Sequence, residues 1–188
     1  IFPNEEFMYK EYAVYQPLQR RAVLNAESIE KLRMSAYFTS NSSIFNESDF
    51  EELKEMNPRS AADEKKYQKY IKGQKFVADI LSILETNTSD KVYTDYAKFE
   101  QYLKSLISDV EGYSASRLTG IAMILSEMDK TAVVQKDRKG KVVLDPTTKD
   151  TEIIKLTKDV EEYFTEEVYP HVPDAKWFYE YDPTKKES

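Results

Sequence analysis

Thr94-Asp95-Tyr96-Ala97-Lys98-Phe99-Glu100-Gln101-Tyr102-Leu103-Lys104-Ser105-Leu106-Ile107-Ser108-Asp109-Val110-Glu111-Gly112 is the stretch that sets the expected fold class. Its apolar residues, Tyr96, Phe99, Tyr102 or Leu103, Leu106, Ile107 and Val110, recur at three- and four-residue steps. That period puts them on one side of an α-helix. Thr94 is placed to cap the start and Gly112 to end it. A stripe of this kind is read as core rather than as a groove for a partner.

Helical patterns continue on both sides. Ala26–Phe38 carries Ile29, Leu32, Met34 and Tyr37 inward, and Thr39–Asn46 is a Ser/Asn-rich loop. Ser48-Asp49-Phe50-Glu51 has capping-box form and opens a short helix that Asn57-Pro58 stops. Ser60 caps a long helix to about Glu85, with Tyr67, Tyr70, Ile71, Val77, Ile80, Leu81 and Leu84 buried and Gly73 inside it. Ser114 or Ser116 opens another, with Leu118, Ile121, Ile124, Leu125 and Met128 inward. Thr157 caps a last helix to about Val168, ended by Pro170 and Pro173. Pro146–Thr151 reads as loop and Trp177–Tyr181 as aromatic but irregular.

Extended structure is expected in two places. Residues 5–24 mix aromatic and polar residues in strand-like alternation, broken at Pro17, with Arg20–Leu24 as a second short strand. Two such strands make no stable sheet alone. They are expected to be poorly covered here and to pack on helices or on a sheet the chain lacks. Thr131–Gln135 and Lys141–Leu144 form a hairpin around Asp137-Arg138-Lys139-Gly140. The expected class is mainly α: a helical domain with a short N-terminal strand pair and one small β-hairpin. Residues 1–25 form the strand segment, and residues 26–188 form the helical domain.

Composition narrows the chemistry. The chain has 188 residues, 40% of them hydrophobic, enough for a real core. Its four glycines, at 73, 112, 120 and 140, are too scattered for a phosphate-cradling loop. Cysteine is absent, which excludes thiolate metal sites and Cys nucleophiles. The net charge of −7 argues against a surface that coats nucleic acid generally, while leaving room for a local basic patch. The longest apolar run, Ile121–Leu125, is far too short to span a membrane. The chain starts at Ile1 without Met and without a basic lead into an apolar stretch. It is read as carrying no signal peptide, as cytoplasmic, and as a piece of something longer.

Candidate sites are few. His171, the one histidine, lies between Pro170 and Val172 and reads as a residue holding a turn. Glu161, Glu162, Glu166 and Glu167 lack any second ligand type and read as a solvated helix face. Asn57-Pro58-Arg59-Ser60 lacks the second proline and the aromatic of an amino-methyltransferase loop, and Asp145-Pro146-Thr147 fails in the same way. Lys136, Arg138, Lys139 and Lys141 make a basic tip suited to a phosphate backbone, although such tips also serve solubility alone. Residues 129–141 carry five cations against two acids, an excess of +3, whereas residues 157–168 stand at −4. DNA would therefore lie nearer the tip than the acidic helix.

Two stretches carry a family likeness. Asp145-Pro146-Thr147-Thr148-Lys149-Asp150-Thr151-Glu152, Leu156-Thr157-Lys158-Asp159-Val160-Glu161-Glu162-Tyr163-Phe164 and Glu167-Val168-Tyr169-Pro170-His171-Val172-Pro173-Asp174-Ala175 resemble the C-terminal part of the modification (M) subunit of type I restriction-modification systems. That pattern has a Lys/Arg-Asp-Thr-Glu element, an acidic helix ending in Tyr-Phe, and Leu-Pro-His-Val-Pro-Asp-Ala-Trp. Here Tyr169 replaces Leu, and Lys176 separates Ala175 from Trp177. Phe7-Met8-Tyr9-Lys10-Glu11-Tyr12-Ala13-Val14-Tyr15-Gln16-Pro17-Leu18 is similar to the strand that follows the family's catalytic domain, with Met8 for Gly and Ala13 for Thr. Residues 26–128 fit in order and length but have weak motifs.

The resemblance implies a parent enzyme that moves a methyl group from S-adenosylmethionine to the adenine amine of DNA. It implies specificity (S) and restriction (R) subunits as partners, with DNA reached through the complex. The cofactor loop and the Asn-Pro-Pro-aromatic loop are absent from this chain, so no catalytic, cofactor-binding or metal residue is carried over. The expected role is non-catalytic: docking the specificity subunit and flanking DNA. The alternative is a free-standing helical adaptor with no nucleic-acid role.

Overall fold

The computed structural model describes residues 8–39 and 47–181. Its elements are β1 (Tyr9–Pro17), β2 (Arg20–Val23), α1 (Ala26–Arg33), α2 (Ala36–Thr39), α3 (Glu47–Glu55), α4 (Ala61–Thr86), β3 (Val92–Tyr93), α5 (Tyr96–Ile107), α6 (Ala115–Ile124), β4 (Ser126–Met128), β5 (Leu144–Lys155), α7 (Val160–Tyr163), a π-helical turn (Phe164–Val168) and β6 (Lys176–Tyr181). Helix accounts for 47% and strand for 22%, with two three-stranded antiparallel sheets. The class is therefore mixed α/β, which corrects the expectation of a mainly α chain with one small hairpin.

Contacts divide the chain into two compact units. One comprises the chain up to Gln19 and from Val134 onward; the other is Arg20–Val133. The N-terminal strands are not left bare, as the sequence suggests. β1 is the middle strand of the first unit's sheet, order β5-β1-β6, and β2 is the middle strand of the second's, order β3-β2-β4. The missing sheet is supplied by distant parts of the same chain.

In the first unit, β1 runs along β5 from Tyr9↔Lys155 to Pro17↔Leu144 and along β6 from Glu11↔Tyr181 to Tyr15↔Lys176. Tyr12, Val14 and Ile154 are buried with Phe164, Val168 and Ala175, and Trp177 packs against them. Tyr12 meets Trp177 edge-on at 5.4 Å, and Phe164 lies 5.6 Å from Trp177. Edge and tilted aromatic pairs of this kind add to the area they bury.

Pro146–Thr151, expected as loop, belongs to β5. The pairing jumps from Val14↔Asp150 to Gln16↔Asp145, so the intervening residues bulge out of the ladder. Local hydrogen bonds make good the interruption. The buried Asp145 accepts from the Thr147 amide at 2.9 Å and the Thr147 hydroxyl at 2.6 Å. Thr148 Oγ1 accepts from the Gln16 amide at 2.9 Å and donates to the Asp145 carbonyl at 2.7 Å. A hydroxyl thus replaces the missing ladder acceptor. Trp177–Tyr181, expected as irregular, is strand β6, with its own register shift opposite Glu11 and Tyr12. The last helix starts later than expected: Asp159, not Thr157, caps it by accepting from the Glu162 amide at 3.0 Å.

In the second unit, α4 forms over the expected span, although Ile71, expected inside, is exposed, and α5 stops at Ile107, short of the expected end at Gly112. Ser60 Oγ caps α4 by accepting from the Asp63 amide, and Phe76, Ile80, Leu81 and Leu84 are buried along it. Tyr96, Phe99, Leu103 and Ile107 are buried on α5, although Asp95 rather than Thr94 is the N-cap residue. The expected helix 26–38 breaks between α1 and α2, and the one expected to reach Met128 stops at Ile124. There Ser126–Met128 pairs with β2, and the buried Arg20 donates to the Met123 and Ser126 carbonyls, both at 3.2 Å. A guanidinium at the end of α6 satisfies carbonyls that the helix leaves open. Thr39–Asn46, expected as loop, falls mostly outside the described residues.

Replacing Thr148 with Val removes both of its bonds at nearly constant shape. The expected loss is about 1–3 kcal/mol of unfolding free energy, with faster hydrogen exchange at the Gln16 amide. Urea titration and exchange NMR check this; unchanged protection at Gln16 would contradict it.

Candidate nucleic-acid interface

The basic tip folds as a tight turn. Lys136 and Val142 bridge, and the Gly140 amide donates to the Asp137 carbonyl at 2.9 Å. Asp137 Oδ1 accepts from the amides of Lys139 at 2.8 Å and Lys141 at 2.9 Å. Gly140 has φ +79°, a conformation that L side chains rarely adopt, which is why glycine sits there. The expected flanking strands Thr131–Gln135 and Lys141–Leu144 are reduced to this bridge, with bonds from the Asp137 amide to the Lys141 carbonyl at 2.8 Å and from the Val143 amide to the Gln135 carbonyl at 2.9 Å. Gln135 is instead tied to the chain start, its amide donating to the Leu18 carbonyl at 2.9 Å.

Lys136, Arg138, Lys139 and Lys141 are all exposed. None of them lies within ion-pair distance of an acid among the described residues. The turn therefore holds four cations on a backbone fixed by the Asp137 carboxylate. Such an arrangement can meet phosphates, contacts that position a duplex without specifying its sequence.

The acidic helix has another role. Glu152 Oε2 accepts from the Tyr163 hydroxyl at 2.7 Å, joining β5 to α7. That hydrogen bond, with burial and the nearby Glu152 and Glu167 charges, pushes the Tyr163 hydroxyl up to about 12. Lys158 reaches Glu166 at 3.1 Å, while Glu161, Glu162 and Glu167 are exposed. His171 is exposed, and its amide donates to the Val168 carbonyl in the turn after the π-helix. No three His, Asp or Glu side chains are grouped to hold a metal among the described residues.

Asn57 and Pro58 join α3 to α4 through a cis peptide. Arg59 there stacks 3.8 Å from the Tyr67 ring centroid, and its Nε donates to the Leu53 carbonyl. These interactions tie two helices together. The 96–110 stripe packs into the second unit's core through Tyr96, Phe99, Leu103 and Ile107.

A second basic surface was not apparent in the sequence: Lys65, Lys69 and Lys72 along α4, beside Arg117 of α6. Its signal is like charges at helical spacing, hidden on the polar face of a helix whose apolar face drew attention. No protein-family model, no curated protein and no solved structure matches this chain.

The Tyr163–Glu152 bond gives a pH-dependent expectation. An unfolded tyrosine ionises near pH 10, and the folded one only near 12. The bond's contribution is therefore complete below about pH 10 and is lost as pH rises toward 12. The stability gap between the native chain and Tyr163→Phe should be constant from pH 7 to about 10 and then narrow. Urea midpoints across that range measure it; a gap that stays constant to pH 12 would refute the assignment.

Proposed function

We propose that this chain is the non-catalytic C-terminal part of a type I restriction-modification adenine-specific DNA methyltransferase M subunit, docking the specificity subunit and flanking DNA. The observation that carries the reading is a pairing. The stretches with the family likeness lie far apart in sequence, yet β1 from Tyr9 to Pro17 is hydrogen-bonded along β5 from Leu144 to Lys155. The acidic helix and the turn after it pack on the same sheet through Phe164, Val168 and Ala175. Separated motifs of one family pattern are expected to be neighbours when the pattern describes one fold.

Two surfaces suit the roles. Opposite pairs in the sheet put Tyr9, Ile153 and Phe178 on the face away from the Tyr12 core, and they are 42%, 58% and 44% exposed. An apolar sheet face of this kind fits a protein partner. The exposed cations of the 136–141 turn fit a DNA backbone, which they would position while the specificity subunit reads sequence. S-adenosylmethionine would be bound by the upstream catalytic domain.

Sequencing the coding region upstream of Ile1 tests the reading. A continuous frame encoding a Gly-rich cofactor loop and an Asn-Pro-Pro-aromatic motif is expected; a start codon without them would overturn it. In the assembled enzyme, changing Lys136, Arg138, Lys139 and Lys141 together to Gln should weaken binding to every DNA sequence alike. The slope of log affinity against log salt should become shallower by up to about 0.9 for each phosphate no longer neutralised.

A further inference from the structure

Lys65, Gln68, Lys69 and Lys72 of α4 line an open groove of about 480 Å³ together with Glu111 and Arg117. Two glycines, Gly73 and Gly112, complete the lining. The lysines stand at i, i+4 and i+7, which places them in one row on the helix, each about 4.5–6 Å along the axis from the next. Like charges so spaced repel one another.

The other lysines of this helix are neutralised. Lys66 pairs with Asp49 at 2.9 Å, and Lys75 pairs with Asp79 at 3.0 Å and Glu111 at 3.8 Å. Among the described residues, Lys65, Lys69 and Lys72 have no acid within ion-pair distance. The one acid of the lining, Glu111, is already shared with Lys75. The helix thus separates committed cations from a row of uncommitted ones that face a concavity.

The fourth cation is held in place. Arg117 Nη1 donates to the Gly112 carbonyl at 2.7 Å, and its guanidinium lies 4.6 Å from the Phe76 ring centroid. Gly112 has φ +90°, and a Cβ there would come within 2.8 Å of that nitrogen. The backbone there favours glycine, and a side chain would displace the guanidinium from its present position. A fork fixed this way loses little freedom on meeting a phosphate.

We infer that this groove binds one backbone strand of duplex DNA, with Lys65, Lys69 and Lys72 following the phosphates and Arg117 at the side of the row. No aromatic or aliphatic side chain lines the groove, so a peptide finds no such anchor there. An open groove flanked by a row of three lysines also suits a linear polyanion better than a small ligand, which is usually enclosed. Contacts to phosphates carry no base information, so binding along the lysine row is sequence-independent. The inference deepens the DNA-flanking part of the reading above, but its residues lie outside the stretches that carry the family likeness.

The test uses the 188-residue chain and two unrelated 20-bp duplexes, followed by fluorescence anisotropy across a salt series. Equal binding to both is expected. K65Q/K69Q/K72Q should weaken it by about tenfold or more near 0.1 M salt, with a slope shallower by up to about 0.9 for each lysine removed from a phosphate. The comparison variant K31Q/K91Q/K98Q removes the same charge away from the groove. The urea midpoint of each variant establishes that it is folded.

Absence of duplex binding, an equal loss in the comparison variant, or competition by polyglutamate as effective as by DNA would each overturn the inference. The arms separate it from the broader proposal. Upstream catalytic motifs with a silent groove leave the family reading standing. A DNA-binding groove without those motifs leaves the groove standing alone.

Discussion

A strand inside a sheet needs hydrogen-bond partners on both edges, and in this chain two consecutive strands both hold that position. β1 and β2 are separated only by Leu18 and Gln19, yet each is the centre of a different three-stranded sheet. Their outer partners come from far along the chain: β5 and β6 for β1, β3 and β4 for β2. Both units depend on the placement of these residues. Tyr12, Ala13 and Val14 are buried in succession on β1, which has a neighbour at each edge.

Charge is organised by the same economy of partners. Where the chain needs its cations for structure, they are matched: Arg20 to helix-end carbonyls, Lys66 to Asp49, Lys75 to Asp79. Lys149 of the β5 bulge reaches across β1 to Glu180, which stands at the register shift of β6. Against that background, the cations of the 136–141 turn and of the α4 row are two groups left facing outward. A net charge of −7 conceals this, because it averages neutralised pairs with concentrated patches.

The helices were legible where a single period persisted. Tyr96, Phe99, Leu103 and Ile107 repeat cleanly, and Ser60 marks a start with a side chain that does cap. The strands were hidden by their irregularities. Asp145, Pro146, Thr147 and Thr148 are turn-forming residues, and they read as loop because a bulge is a turn built into a strand. A bulge also breaks the two-residue alternation, so Trp177–Tyr181 showed no consistent faces. The class was misjudged because the partners of β1 can be found only by matching segments far apart, and local patterns carry no such information. Of the candidate interface, the cation-rich turn was visible from Asp137 and Gly140. The α4 row needed the knowledge that Lys66 and Lys75 are occupied and Lys65, Lys69 and Lys72 are not.

The central place of β1 also bears on how the protein is made. A ribosome releases Tyr9–Pro17 well before Leu144–Lys155 and Lys176–Tyr181, an interval on the order of ten seconds at ordinary elongation rates. During that time, an aromatic strand has two open edges and no sheet to join. Arg20–Val133 can close meanwhile, since all strands of its sheet emerge earlier. Nascent chains therefore pass through a stage with one unit formed and one unpaired strand held at its N-terminal side, the stage most prone to aggregation and most suited to chaperone capture.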